Sequence, residues 1–168
     1  LTAYYEARAR SGPGIIVVEI ACVDAPRGKA ALNQLRIDHP RYLPGLSRLA
    51  EVIKSGGSRA FIQLHHAGRQ TSLIATEGQA PLAPSAIPCR LMRVMPEEAS
   101  LEDVDQVQLK FATSAVLASM AGFDGVELHG GTGYLLAQFL SPRLNKRNDS
   151  YGGSLENRMR FHLAVIDA

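Results

Sequence analysis

Gly122-Phe123-Asp124-Gly125-Val126-Glu127-Leu128-His129-Gly130-Gly131-Thr132-Gly133-Tyr134 is a short apolar run that opens at a helix-stopping glycine and ends among polar side chains and glycines. Residues 123–128 read as a strand. Just upstream, Val104, Val107, Phe111, Ala115 and Ala118 recur at helical spacing, and Ser100 with Asp103 gives an S-x-x-D start signal. A helix is therefore expected to open at Ser100 and to stop at Gly122. The same order repeats towards the N-terminus. Residues 59–64 (Arg-Ala-Phe-Ile-Gln-Leu) form a strand that follows a helix carrying Leu43, Leu46, Leu49, Ala50 and Ile53, which Gly56-Gly57 stops. Ile15-Ile16-Val17-Val18-Glu19-Ile20 follows a helix over residues 1–10, closed by Ser11-Gly12-Pro13-Gly14. That strand is apolar on both parities and is expected to be buried on both faces. Towards the C-terminus, Tyr151-Gly152-Gly153 leads to a last helix with Ser154 as N-cap and Glu156 in the first turn. Residues 65–96 form a long connection rich in proline, expected to serve a function or to act as a lid.

Strands alternating with helices imply right-handed crossovers and a parallel sheet. Three strands cover only part of a core, and a (β/α)8 barrel needs about 250 residues. The chain is expected to be α/β, a partial TIM (β/α)8 barrel of about strands 2 to 4 with their helices. On this reading residues 1–168 are one incomplete domain whose first strand and C-terminal half lie outside the chain. The first residue is Leu rather than Met, and the last residues stop within a helical pattern. A doubly wound sheet is the alternative, weakened because Gly130-Gly131-Thr132-Gly133 falls short of G-x-G-x-x-G. With 18 basic and 16 acidic residues the net charge is +2, too balanced to indicate a nucleic-acid partner. No apolar run is long enough to span a membrane, and the charged start lacks the form of a signal peptide. Cys22 and Cys89 stand far apart, as expected of reduced thiols in a cytoplasmic protein.

In a barrel the chemistry sits where the strands end and the βα loops converge. Glu19 closes the first strand here, Gln63 with His65-His66 the second, and Glu127 with His129 the third. The amide of Gln63 offers both donor and acceptor, which suits the edge of a heterocycle or, equally, stray backbone groups. His65 and His66 face opposite sides of a strand, so one is expected to fix the following loop and the other to approach a ligand. No metal site is expected, because neither HxH, HExxH nor paired cysteines occur. Glu127 reads as a structural carboxylate that needs a partner. Tyr134 offers a phenolic proton beside a backbone loosened by three glycines, or it simply packs.

The stretch from Gly122 to His129, then Gly133-Tyr134-Leu135-Leu136 and Gln138-Phe139-Leu140-Ser141-Pro142, resembles the fourth-strand signature of the old yellow enzyme family. The match continues through Asn145-Lys146-Arg147, Asp149, Tyr151-Gly152-Gly153-Ser154 and Glu156-Asn157-Arg158. Gln63-Leu64, His66-Ala67-Gly68-Arg69 and Ala83-Pro84-Ser85 are similar to its third-strand region. These are FMN-dependent NAD(P)H:flavin oxidoreductases and ene-reductases. The resemblance implies that Gln63 binds the pyrimidine edge of FMN, and that residues around Ala21 lie along the ring. It further implies that His129 holds a substrate carbonyl oxygen and touches the flavin. Hydride then reaches the β-carbon of an activated alkene, charge builds on the oxygen, and Tyr134 protonates the other carbon.

Where the main branch carries a second His or Asn, this chain has Thr132, which offers one short hydroxyl. The pattern is closest to the branch containing 2,4-dienoyl-CoA reductase. That implies an unsaturated carbonyl or acyl-CoA substrate, NAD(P)H as reductant, and a 4Fe-4S cluster in the C-terminal part outside this chain. The family's phosphate-binding loops also fall outside it, so the 168-residue chain is expected to hold FMN weakly. Competing readings are an amine dehydrogenase-like flavoenzyme and a non-catalytic barrel module. The sequence admits an oligomer. Arg147, Asp149, Glu156, Asn157 and Arg158 are expected to form a structural network, and Arg90 and Arg93 a solvated face.

Overall fold

The computed structural model describes residues 1–168. α1 (Thr2–Ala9) precedes β1 (Ile15–Cys22), and α2 (Leu43–Ser55) precedes β2 (Arg59–His65). The long connection holds β3 (Leu82–Ala83) and β4 (Glu97–Glu98). α3 (Leu101–Met120) then leads to β5 (Gly125–Leu128), followed by α4 (Leu135–Leu140) and α5 (Leu155–Asp167). β1, β2 and β5 form one parallel sheet in chain order. No helix is long and apolar enough to cross a membrane.

The helices cover one face of this sheet. Ile16, Val18, Ala60, Ile62 and Leu64 point into a core shared with Leu49 and Ile53 of α2 and Val107 and Phe111 of α3. Sequential strand order with helices on one side is the arc of a barrel. A doubly wound sheet would reverse its order and carry helices on both faces. The partial (β/α)8 expectation holds. Burial of β1 on both faces does not, since Ile15 is 58% and Val17 37% exposed. Those two side chains belong to the barrel's inner face, which is open in this chain.

Local chemistry sets the helix ends. Ser100 and Asp103 form the expected reciprocal cap, each side chain bonded to the other residue's backbone N–H at 2.9–3.0 Å. Gly122 adopts φ +89° just beyond α3, and Ser154 caps α5 at Asn157. Gly125 is required for packing, because a Cβ there would collide with the Phe61 ring lying across it.

Two short features were not expected. α4, residues Leu135–Leu140, occupies what reads as a loop; it buries Leu135, Leu136, Gln138 and Phe139 and stacks Phe139 on Phe161 of α5 at 4.2 Å. β3 and β4 pair in parallel and close the long connection into a folded flap. Arg147, almost fully buried, clamps that flap: its guanidinium donates to the Pro84 and Ala99 carbonyls and to Asp149. Arg158 donates to the Leu140 and Gly153 carbonyls. The structural network is thus present at Arg147, Asp149 and Arg158. Glu156 stays on the surface, and Asn157 serves only its own helix, accepting from Arg160 and donating to the Ser154 cap.

Candidate active site

β2 brings Gln63 and His65 to its inner face two residues apart, about 7 Å along the strand. Residues Phe61, Ile62, Gln63 and Leu64 pair with Gly125, Val126, Glu127 and Leu128 of β5, so Gln63 stands directly beside Glu127. The Gln63 Nε2 donates to the Glu127 carboxylate, leaving the Gln63 Oε1 without a protein partner. Glu127 therefore has the partner it needs, though it is exposed on the open face rather than enclosed in a barrel layer.

Beyond the strand ends three rings meet. His65 lies edge-on to Tyr134 with centroids 4.3 Å apart, His129 lies 4.9 Å from Tyr134, and His65 and His129 are 5.4 Å apart. The Tyr134 hydroxyl forms no hydrogen bond within the chain, so its proton is free for a ligand. His129 is held by its own loop: the Gly131 N–H donates to its Nδ1 at 3.4 Å, which leaves the proton on Nε2. That Nε2 lies 3.2 Å from the Thr132 Oγ1. Burial pushes the His129 pKa below the usual imidazole range, with Glu127 opposing in part. At neutral pH it is a neutral donor. Thr132 reaches its place at φ +50°, a left-handed conformation costly for a β-branched residue.

His65 has no accessible surface. The Gln34 Oε1 accepts from the Ala30 N–H at 2.6 Å, which fixes the amide so that its Nε2 donates to His65 Nδ1 at 3.0 Å. The remaining proton sits on His65 Nε2, which is buried with no partner. Burial, then the neighbouring His66 and His129, push its pKa down to about 3. His66 fixes the following loop, as expected of one of the pair: its Nδ1 accepts from the Gly68 N–H and its Nε2 lies 3.3 Å from Asp24, whose other oxygen takes Lys110 at 2.6 Å.

Ala21 is not at this surface. Val18 pairs with Ile62 and Ala21 with Leu64, so Glu19 and Ile20 together oppose the single residue Gln63. This bulge reverses the parity of the strand. Ala21 is turned into the core with no accessible surface, while Ile20 and Glu19 line a cleft of about 590 Å³ with Gln34. Of the residues around Ala21, it is Ile20 that faces the open side, while the Ala21 side chain faces the core. Neither Ile20 nor Gln34 carried a signal in the sequence, because a bulge and a loop-borne amide leave no periodic trace. Gln138 was likewise missed: buried in α4, it accepts from the Arg69 N–H and donates to the Ala67 and Gly133 carbonyls. It thereby ties the loop after β2 to the residue before Tyr134, and Gly68 at φ +59° leaves room for its amide.

The arrangement can offer an amide edge (Gln63 Oε1), a neutral imidazole donor (His129 Nε2–H, which here meets the Thr132 hydroxyl oxygen) and a free phenol, with the unsatisfied His65 N–H enclosed behind them. The fit to a flat heterocycle rests on the unpaired Gln63 Oε1, the free Tyr134 hydroxyl and the orphaned His65 N–H, all at the same strand ends. No three His, Cys, Asp or Glu side chains converge as metal ligands would.

Residues 1–168 match the profile of the NADH:flavin oxidoreductase / NADH oxidase family. The chain is 50% identical over 163 residues to an NADH oxidase of Thermoanaerobacter brockii, covering 97% of this chain and 25% of that protein. It superposes on morphinone reductase with a TM-score of 0.90 at 29% identity, covering 99% of this chain and 48% of the other. A 2-naphthoyl-CoA reductase in complex with 2-naphthoyl-CoA gives a TM-score of 0.90 at 32% identity, over 97% of this chain and 26% of the other. The chain thus spans a quarter to a half of the length of these relatives.

Proposed function

We propose, because this chain belongs to the NADH:flavin oxidoreductase / NADH oxidase family, that residues 1–168 are an incomplete FMN-binding barrel domain of an enzyme that uses NAD(P)H to reduce an activated C=C bond. The observation that carries this reading is the meeting of His65, His129 and Tyr134 within 4.3–5.4 Å, at the ends of strands that also hold Gln63. FMN, when bound, would supply the hydride; the protein's part is to bind, orient and move a proton.

Gln63 and Ile20 would border the ring, the amide oxygen of Gln63 accepting from its pyrimidine edge. The His129 Nε2–H would bind the substrate carbonyl oxygen, assisted by the Thr132 hydroxyl. A neutral donor stabilises the oxygen as it gains charge without holding a salt-like product. The Tyr134 phenol would give its proton to the α-carbon, and the Gln138 tie would keep that hydroxyl in place. The substrate is an enone, enoate or enoyl thioester. The coenzyme A thioester bound by the 2-naphthoyl-CoA reductase supports the last of these.

The protein carrying this chain is expected to be yellow, absorbing near ~450 nm as oxidised flavin does. It should couple NAD(P)H oxidation to saturation of cyclohexenone or crotonyl-coenzyme A. A colourless protein that leaves both double bonds intact after addition of FMN would end the proposal.

A further inference from the structure

A second concavity lies outside the ring cluster. It is a groove of about 520 Å³ between the flap and the segment after α4, and its lining includes Arg69, Arg90, Arg143, Cys89 and Ser141 and no acidic residue. None of the three arginines has a carboxylate within salt-bridge distance, although eight other Lys and Arg side chains of the chain do. The guanidinium of Arg69 is aimed by its Nη1, which donates to the Ile87 and Pro88 carbonyls at 3.0 and 2.9 Å. Its remaining N–H groups have no partner. Those of Arg90 and Arg143 have none at all within the chain. Burial pushes Arg69 below the usual arginine range, and the Arg143 cation adds to this. Like charges gathered without counter-charge repel one another, and a polyanion placed among them relieves that cost and satisfies planar N–H forks suited to phosphate.

We infer that the groove at Arg69, Arg90 and Arg143 binds the phosphate groups of a nucleotide-bearing substrate, holding the tail of a ligand whose reactive end reaches Tyr134. Arg90 is exposed, as expected, and it lines this groove. Arg69 also connects the two places, since its N–H donates to Gln138, which in turn donates to the Gly133 carbonyl. The tail's identity rests on the proposed redox site; the anion binding does not. Coenzyme A and NADP(H) share this chemistry. A thioester tail and a reductant tail are told apart by titration.

The test is calorimetric titration of the purified protein with coenzyme A, NADP⁺ and NAD⁺, for the wild type and for Arg90→Gln/Arg143→Gln. These two side chains make no internal bond, so the variant should fold, and its circular dichroism checks that. Binding of coenzyme A or NADP⁺ should weaken at least tenfold in the variant and weaken with added salt in the wild type. Tighter binding of coenzyme A assigns the thioester, and tighter binding of NADP⁺ the reductant. In the active protein the variant should raise KM for the phosphate-bearing ligand and leave KM for cyclohexenone unchanged. Absence of binding by all three ligands, or binding indifferent to the arginines, overturns the inference, whatever becomes of the redox reading. Arginine-dependent binding in a protein without flavin chemistry would sustain the groove and sink the redox reading instead.

Discussion

His65 carries the most legible pH consequence of any single residue. The unfolded chain binds a proton there near the ordinary value of about 6.5, whereas the folded chain resists it down to about 3. Below pH 6.5 the unfolded state therefore binds more protons, and stability is lost as pH falls towards 3. The slope approaches about 1.4 kcal/mol per pH unit, or about 2 kcal/mol between pH 6.5 and 5. His129 and His162, both lowered by burial, act with the same sign. Asp24, held low against its burial by His66 and Lys110, adds its own loss only below about pH 4. Urea midpoints measured from pH 7 to 5 should fall steadily in the wild type and much less in His65→Gln; equal slopes would mean that His65 is not the buried neutral group described. Thr132 makes a second case. Its φ of +50° costs about 1–3 kcal/mol for a residue with a branched Cβ, so Thr132→Gly should raise the melting temperature while weakening the His129 contact. The resemblance grouped His129, Thr132 and Tyr134, and the three glycines between His129 and Tyr134 mark a loop at a strand end. It could not show that His65 fills the space between the rings, since the neighbour relation comes from strand pairing.

At the scale of elements, α3 should lose about 1 kcal/mol in Ser100→Ala, which removes half of its cap. Arg147 is of a different order. It is a buried cation that clamps the flap by bonds to Pro84, Ala99 and Asp149. Arg147→Met should cost about 3–5 kcal/mol, because Asp149 and two carbonyls lose their partner. Arg147→Lys should recover only part, since an ammonium cannot fork to all three. Chemical denaturation checks both, and a loss below 1 kcal/mol for Arg147→Met would contradict the clamp. The long elements were readable from spacing: α2 and α3 by their apolar stripes and glycine stops, β1 and β2 by their apolar runs. The short ones were not. α4 has six residues, too few for a helical period to declare itself, and β3 and β4 have two each and exist only because they meet. The bulge in β1 had the largest effect, since one extra residue moved Ala21 into the core and Ile20 to the cleft.

For the molecule as a whole, three sequential parallel strands with helices on one side leave an inner face that carries Ile15, Val17, Phe61 and Gln63 into the open. Further barrel strands would cover Ile15, Val17 and Phe61, and the proposed flavin would rest at the strand ends, beside Gln63 and Tyr134. Titration of FMN into the 168-residue chain should give weak binding, tightening in a protein that also carries the strands able to hold the flavin phosphate; tight stoichiometric binding to the chain alone would contradict this. The central claim is narrower, that the Tyr134 phenol delivers the proton at a site bordered by Gln63 and His129. Stopped-flow absorbance of the flavin in the protein carrying this chain tests it most directly, comparing wild type with Tyr134→Phe. Reduction by NAD(P)H should proceed at the same rate in both, while reoxidation by cyclohexenone should slow by about 10²–10⁴-fold in the variant. Equal reoxidation rates would contradict the account.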